Sequence, residues 1–333
     1  MSKIAEYLQA HLMGEVSATP AVRAHFSTDA SVYQQLPQVV VCPKDENDIR
    51  KVARFVWQLA ERGKVLPIVG RGSGTDLTGS AIGQAISMAF TPHMNQILEF
   101  EDKKGTLRVG PGVNFGRLQH MLSFSHGRFI PAYPDSFEYS TIGGAIGNNS
   151  GGEYSLKYGP ISNYVTGLRV VLANGDVIET KRLSKKELSK KTGLSTFEGE
   201  IYRAVSGILT DYQEEIKAMP NNRSNLGYNL KDVKHKDGSF DLTPLIVGSK
   251  GTLGVVTEMT LKTEIYRPDA TRMVVKMHDR TKLESVVNSL LELKPNSCEY
   301  YDSTILQASK IASPNTLGAL IKNEVCLLYT SPS

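Results

Sequence analysis

Residues 67–83 read PIVGRGSGTDLTGSAIG, with five glycines in 17 positions, and the short apolar run 65–69 leads straight into them. Glycine tolerates positive φ and lets backbone come close to another group, at an entropic cost on folding. Small residues in succession, here Gly70, Gly72, Ser73, Gly74, Thr75 and Asp76, can turn several backbone N–H groups toward one anion. Charge-assisted hydrogen bonds of this kind contribute about 1.5–3 kcal/mol each, so about four or five would hold a diphosphate without many cationic side chains. Upstream, VVVC at 39–42 reads as a strand and 45–63 as a helix, because Ile49, Val52, Ala53, Val56, Leu59 and Ala60 share one face. Asp45 suits the start of that helix and Gly63 its end. Strand, helix, strand and glycine loop in succession make an α/β unit whose loop lies at a strand end.

Two familiar phosphate loops can be tested against this stretch. A Walker loop closes on Gly-Lys-Ser or Gly-Lys-Thr, and neither tripeptide occurs in the chain. A nicotinamide-type Rossmann fingerprint needs glycine at its first, third and sixth positions. Here Gly70 and Gly72 are followed by Thr75, and Gly72 and Gly74 by Leu77. Three further windows, 110–116, 141–159 and 248–254, carry three, six and three glycines, so four short windows hold 17 of the chain's 29. Such crowding points either to left-handed turns or to backbone pressed close to a ligand or another segment.

Outward from these windows, AISMAF, QILEFED and TLRVGPG read as short strands and 114–125 as a helix. STIGGAIGNNSGG at 140–152 has too many Gly and Asn for a helix interior and too little alternation for a strand, which predicts an extended, ordered loop. GLRVVLA and DVIETKR flank Asn174-Gly175, a pair suited to a type I′ hairpin turn. The basic run KRLSKKELSKK at 181–191 reads as a solvated helical face or loop, since no aromatic residue is interleaved with it. Residues 197–219 read as one amphipathic helix, and 242–268 as strands around 251–254 with Pro268 at a boundary. Beyond it come a strand (TRMVVKM), a helix (LESVVNSLLEL) and a further element at CEYYDSTILQAS, too little to bury a core alone.

The 333 residues carry 38 basic and 34 acidic side chains, a net charge of +4, and 40% apolar residues. That balance excludes a disordered chain and a nucleic-acid binder driven by charge. Cys42, Cys298 and Cys326 are too far apart for a zinc or disulfide framework, which favours a reducing compartment. No apolar stretch approaches about 18 residues, so a soluble, unprocessed chain is expected.

PIVGRGSGTDLTG, VGPGVNFGRL, STIGGAIGNNSGG, NLGYNL and IVGSKGTLGVVTEMTLK, in this order, resemble the PCMH-type FAD-binding domain of the vanillyl-alcohol oxidase-type flavoproteins. The likeness is to their D-lactate and D-2-hydroxyglutarate dehydrogenase branch. It implies an α+β fold, with two α/β subdomains clasping FAD and then the start of a ferredoxin-like cap. The expected divisions are an N-terminal helical lead at 1–29, the FAD-binding domain at 30–268, a truncated cap at 269–325 and a non-native tail at 326–333, the last left out of fold reasoning.

The resemblance also carries residue roles. Gly70, Arg71, Gly72, Ser73, Gly74, Thr75 and Asp76 correspond to the loop on the FAD pyrophosphate. Pro134, Asp135 and Ser136, with Thr141, Gly143, Gly144, Asn148, Asn149, Gly151 and Gly152, correspond to the stretch along the isoalloxazine and ribityl portion. Gly254, Val255 and Val256 correspond to the strand that closes on the cofactor. Members with covalent flavin commonly carry His in or beside the first loop, whereas Arg71 and Ser73 stand here, so non-covalent FAD is expected. Lys250 stands where the family usually has Glu, a second departure.

Implied by the resemblance is oxidation of a D-2-hydroxy acid of D-lactate, D-2-hydroxyglutarate or glycolate type, by hydride transfer to flavin N5, with a quinone or cytochrome as electron acceptor. Two alternatives share the domain: an FAD-binding subunit or fragment of a larger electron-transfer complex, and a non-redox transferase of the alkyl-dihydroxyacetone-phosphate synthase type. A cytoplasmic enzyme is expected, able to attach peripherally at the inner membrane face. The seven histidines are scattered, with no His-x-His pair, so His93, His120 and His126 read as surface or packing residues. Any metal or iron–sulfur cluster is expected only beyond this chain's C-terminal end. Arg223 and Tyr228 are the substrate candidates, the first for a carboxylate and the second for a ring-edge contact.

Overall fold

Val39, Val40 and Val41 are buried at the centre of the first sheet in the computed structural model, which describes residues 3–219, 227–277, 279–305, 308 and 325–332. The elements here are α1 (Lys3–His11), β1 (Glu15–Ser17), α2 (Pro20–His25), β2 (Val39–Cys42), α3 (Glu46–Glu61), β3 (Ile68–Arg71) and β4 (Ile86–Ala89). The strand order is β1-β2-β4-β3, with β1 antiparallel and the other pairs parallel. On α3, Asp45 accepts from Asp48 N as N-cap, and Gly63 follows the helix at φ 78°. Ile49, Val52 and Ala53 are buried but Ala60 is exposed, so only the first half of the expected face is covered.

The N-terminal 29 residues are more than a helical lead. β1 is an edge strand of this sheet, and Leu8 joins the core of Val41, Ile49 and Met88. Asp48, fully buried, accepts from Met13 N, Gly14 N and Lys44 N at 3.0, 2.9 and 3.0 Å. Three donors satisfy a charge that would otherwise be costly to bury.

The second layer holds β5 (Ile97–Glu101), β6 (Thr106–Val109), α4 (Phe115–His126), β7 (Arg128–Phe129), α5 (Ile142–Gly147), α6 (Ser155–Tyr158), β8 (Val165–Val171) and β9 (Val177–Lys181). It continues through α7 (Lys185–Thr192), α8 (Phe197–Asp211), α9 (Gln213–Ala218), α10 (Thr243–Ile246), β10 (Val255–Lys262) and β11 (Glu264–Ile265). Five strands form an antiparallel sheet in the order β5-β6-β10-β8-β9, and β7 pairs with β11. Its core gathers Leu107, Phe115, Leu122, Val170, Tyr202 and Met259. Glu46, in the first turn of α3, ties the two layers together. It accepts from Arg169 Nε and Nη2 at 2.6 and 3.0 Å and from Thr257 Oγ1 at 2.8 Å. Burial opposes its charge, but Arg169 and Thr257 hold the carboxyl below the usual range.

Several local expectations change. Residues 142–147 are helical, not an extended loop. Glycine lowers helix propensity, but Thr141 Oγ1 accepts from Gly144 N, Gly143 N donates to Pro111 O at 3.0 Å, and Ile142 and Ile146 are buried. Tertiary contact outweighs local preference. In the β8–β9 hairpin only Gly175 has positive φ, at 81°, and Gly175 N donates to Leu172 O. The turn is therefore type I followed by a left-handed glycine, not type I′. The helix expected over 197–219 breaks at Tyr212 (φ −110°, ψ 29°) into α8 and α9. Residues 243–246, read as strand, form α10, with proline in its first turn.

The last sheet contains β12 (Ala270–Met277), α11 (Leu283–Glu292), β13 (Ser297–Tyr301) and β14 (Val325–Pro332). β14 lies between the other two strands and runs antiparallel to both, pairing Met277 with Val325 and Tyr301 with Cys326. Residues 326–332, set apart in the sequence as a tail, are thus part of a central strand. A βαβ unit split by an antiparallel strand is the opening arrangement of a ferredoxin-like domain. Without β14 the facing edges of β12 and β13 would be unpaired.

Candidate cofactor cleft

A cleft of about 790 Å³ opens where the end of β3, α5 and the start of β10 meet, within the range of small-molecule and cofactor sites. Every residue assigned above to the cofactor lines it, except Asn149 and Gly152. Asn149 has φ 47°, and its Oδ1 accepts from Ser162 N. Gly152 lies against Tyr133 O and Asp135, where a Cβ would come within 2.4 Å of that carbonyl. Both are framework positions. The cleft also recruits Thr78, Phe90, Pro111, Ser140, Gly147 and Lys250, none of them on the sequence-based list. Pro111 and Gly147 lie inside the glycine windows and were findable there; Phe90 follows an ordinary strand with no such signal.

The first loop is held from both sides. Gly72 faces α5, and a Cβ there would lie 2.2 Å from Thr141 Oγ1. Gly74, at φ 75°, lies over the Arg71 guanidinium. Arg71 is buried and donates to Thr28 O at 2.8 Å and Ala81 O at 3.4 Å, with its guanidinium 5.6 Å from the Phe26 ring centroid. It props the loop from beneath. Along 72–77 the backbone N–H groups find no acceptor elsewhere among the described residues, an arrangement that leaves them free for an anion.

Asp76 organises the far end of this loop. Oδ2 accepts from Thr78 N at 2.8 Å, Thr78 Oγ1 at 2.8 Å and Ser80 N at 2.9 Å, while Oδ1 accepts from Asn148 Nδ2 at 2.9 Å. The last bond joins the first glycine window to the third. Burial disfavours the charged carboxylate, but these donors prevail and hold it well below its ordinary value of 3.8. A depressed folded value means that the carboxylate stabilises the fold above the unfolded value and loses that contribution as pH falls below it. Urea denaturation midpoints are therefore expected to fall from pH 5 to pH 3, and to fall less steeply in Asp76→Asn. Equal slopes would contradict this role.

The glycines of α5 divide the work. Gly143 packs on Pro111, where a Cβ would lie 2.7 Å from its carbonyl oxygen, whereas a Cβ on Gly147 would meet nothing within 4 Å. Gly147 thus keeps the cleft wall low. Unpaired N–H groups on one side and a glycine wall on the other fit a diphosphate-bearing dinucleotide such as FAD. The hydroxyls of Thr75, Ser136 and Ser140 cluster in the cleft lining, Thr75 Oγ1 3.1 Å and Ser136 Oγ 2.7 Å from Ser140 Oγ.

The substrate candidates fare differently. Tyr228 is exposed, does not line the cleft, and its hydroxyl is 2.9 Å from Thr252 Oγ1. Arg223 lies outside the described residues. His93 pairs with Glu15 at 2.6 Å and His120 with Glu138 at 3.4 Å, and neither they nor His126 line the cleft. Among the described residues no group of three His, Cys, Asp or Glu side chains is placed to hold a metal, and no helix is long and apolar enough to cross a membrane.

Comparison with known proteins agrees with this geometry. Residues 37–181 match the family described as FAD binding domain. The chain is 34% identical over 313 residues to a D-2-hydroxyglutarate dehydrogenase of Escherichia coli (strain K12), covering 92% of this chain and 30% of that protein. It is 31% identical to the glycolate oxidase subunit GlcD of Bacillus subtilis (strain 168), covering 90% of this chain and 54% of the relative. The chain thus spans from about a third to about half the length of these relatives. Among solved structures, an alkyldihydroxyacetonephosphate synthase superposes with a TM-score of 0.67 at 16% identity, over 99% of this chain and 56% of that one. At that identity the likeness is one of fold.

Proposed function

We propose, from the match of residues 37–181 to the FAD binding domain family and the likeness to hydroxy-acid dehydrogenases, that the chain seats FAD in the cleft and serves the oxidation of a 2-hydroxy acid of D-lactate, D-2-hydroxyglutarate or glycolate type. The observation that carries the cofactor half is the loop 72–77, whose N–H groups lack partners among the described residues and which lines one cleft with the glycines of α5. The names of the relatives support the substrate half. Bound FAD would supply a two-electron acceptor.

The chain's own part is to bind and orient. The N–H groups of 72–77 take the diphosphate oxygens, and Asp76 fixes the loop that presents them. Pro134, Asp135 and Ser136, with Gly144 and Gly147, flank the remaining length, and Val255 and Val256 close the opposite wall. On the substrate side Tyr228 and Arg223 are the proposed contacts. The transferase alternative rests on shared fold alone, whereas the hydroxy-acid relatives match at 31–34% identity.

FAD added to the purified chain is expected to give a protein-bound flavin band near ~450 nm, and acid precipitation should release the colour into the supernatant. No histidine lines the cleft among the described residues to anchor it covalently. A chain that takes up no flavin would overturn the cofactor assignment, and a yellow acid pellet would overturn its non-covalent character.

A further inference from the structure

Lys250 enters the cleft from a tightly specified backbone. Its φ is 53°, between Gly248 at 84° and Gly251 at 81°, and its N–H donates to Gly147 O at 3.0 Å, the C-terminal end of α5. From that anchored position the exposed side chain crosses to the first loop, where Nζ donates to Thr78 Oγ1 at 2.7 Å. The same Thr78 hydroxyl donates onward to Asp76 Oδ2 at 2.8 Å. An ammonium, a hydroxyl and a carboxylate thus form one chain across the cleft, between segments 172 residues apart.

The charges around the cleft make this contact matter. Among the described lining residues the cations are Arg71 and Lys250 and the carboxylates are Asp76 and Asp135. Arg71 is buried beneath the loop, where its Nη1 donates to Thr28 O and Ala81 O. Among the described residues the ammonium of Lys250 has only a neutral hydroxyl as its acceptor, on a flexible four-carbon stem. A diphosphate would come close to an ionised Asp76 with backbone dipoles alone to receive it. Its oxygens are charged acceptors, which make shorter and stronger hydrogen bonds to an ammonium than a hydroxyl does.

We infer that Lys250 is the cation of this cleft: it offsets Asp76 and moves from the Thr78 hydroxyl onto the diphosphate of the bound dinucleotide. This rests on the reading of the cleft as an FAD site. It adds a binding residue from the second layer to a loop that belongs to the first.

The test is titration of flavin-free protein with FAD, ADP, adenosine and riboflavin over a range of salt concentrations, for the natural chain and for Lys250→Met and Lys250→Arg. Lys250→Met is expected to raise Kd for FAD and ADP by about tenfold, the factor that corresponds to about 1.4 kcal/mol. It should also weaken the salt dependence and leave adenosine and riboflavin unchanged. Lys250→Arg should restore much of the affinity. A Kd for FAD within twofold of the natural chain, or an equal loss for riboflavin, would overturn the inference while leaving the FAD site standing. A natural chain that binds neither FAD nor ADP would remove the site and the inference together. Unfolding midpoints of the flavin-free variants separate loss of binding from loss of fold.

Discussion

Replacing Asp76 by alanine is expected to destabilise the flavin-free protein by about 2–3 kcal/mol and to weaken FAD binding by more than tenfold. Four donated hydrogen bonds converge on this carboxylate: two from Thr78 and one each from Ser80 and Asn148. Removing it strands the donors and unties the first loop from the third glycine window. The cofactor effect follows because unpaired N–H groups bind an anion well only when they are already aimed at it. Urea denaturation gives the stability change, and quenching of flavin fluorescence gives the affinity. A variant that kept its FAD affinity would show that the loop holds its shape without Asp76.

The second large effect separates two glycines of one short helix. Gly143→Ala brings a Cβ to 2.7 Å from Pro111 O and 2.8 Å from Pro111 Cβ. That contact is with backbone and a rigid ring, so α5 itself must shift, at a cost of about 1–3 kcal/mol. The hydrogen bond from Gly143 N to Pro111 O is strained with it. Stability and FAD affinity should fall together. At Gly147 a Cβ meets no protein atom within 4 Å, and alanine favours the helix by up to about 1 kcal/mol. Gly147→Ala should therefore keep or raise stability while lowering FAD affinity, because the added methyl stands in the cleft. The same behaviour in both variants would mean that α5 is not the cleft wall described here.

Much of this was legible in the chain itself. The strand–helix–strand–glycine sequence over 39–83 follows from periodicity and from residues with strong local signals, Asp45 as N-cap and Gly63 past the helix end. The four glycine windows marked the backbone that closes around the cleft, because a position without Cβ is needed wherever two segments come within contact distance of the main chain. Gly72 against Thr141 and Gly143 against Pro111 are two such places.

Other features were not local properties. STIGGAIGNNSGG becomes helical at its centre because Pro111, Thr141 and two buried isoleucines hold it, against its own propensity. Phe90 carries no motif, and Lys250, although it lies inside a glycine window, carries no local sign of its partner; each reaches the cleft only because β4 and the 248–254 turn are folded against it. The strand at 325–332 exists as the partner of two edges that the sequence places far away.

Periodicity and the glycine windows therefore determined the α/β unit over 39–83 and most of the backbone around the cleft, since each depends on residues close together in the chain, while the resemblance carried by the ordered motifs supplied the class of fold and the cofactor. Which side chains close the site was decided only by the tertiary structure. The Lys250–Thr78–Asp76 chain and the Asp76–Asn148 bond join segments 172 and 72 residues apart, and no local preference encodes a contact that forms only when the layers pack.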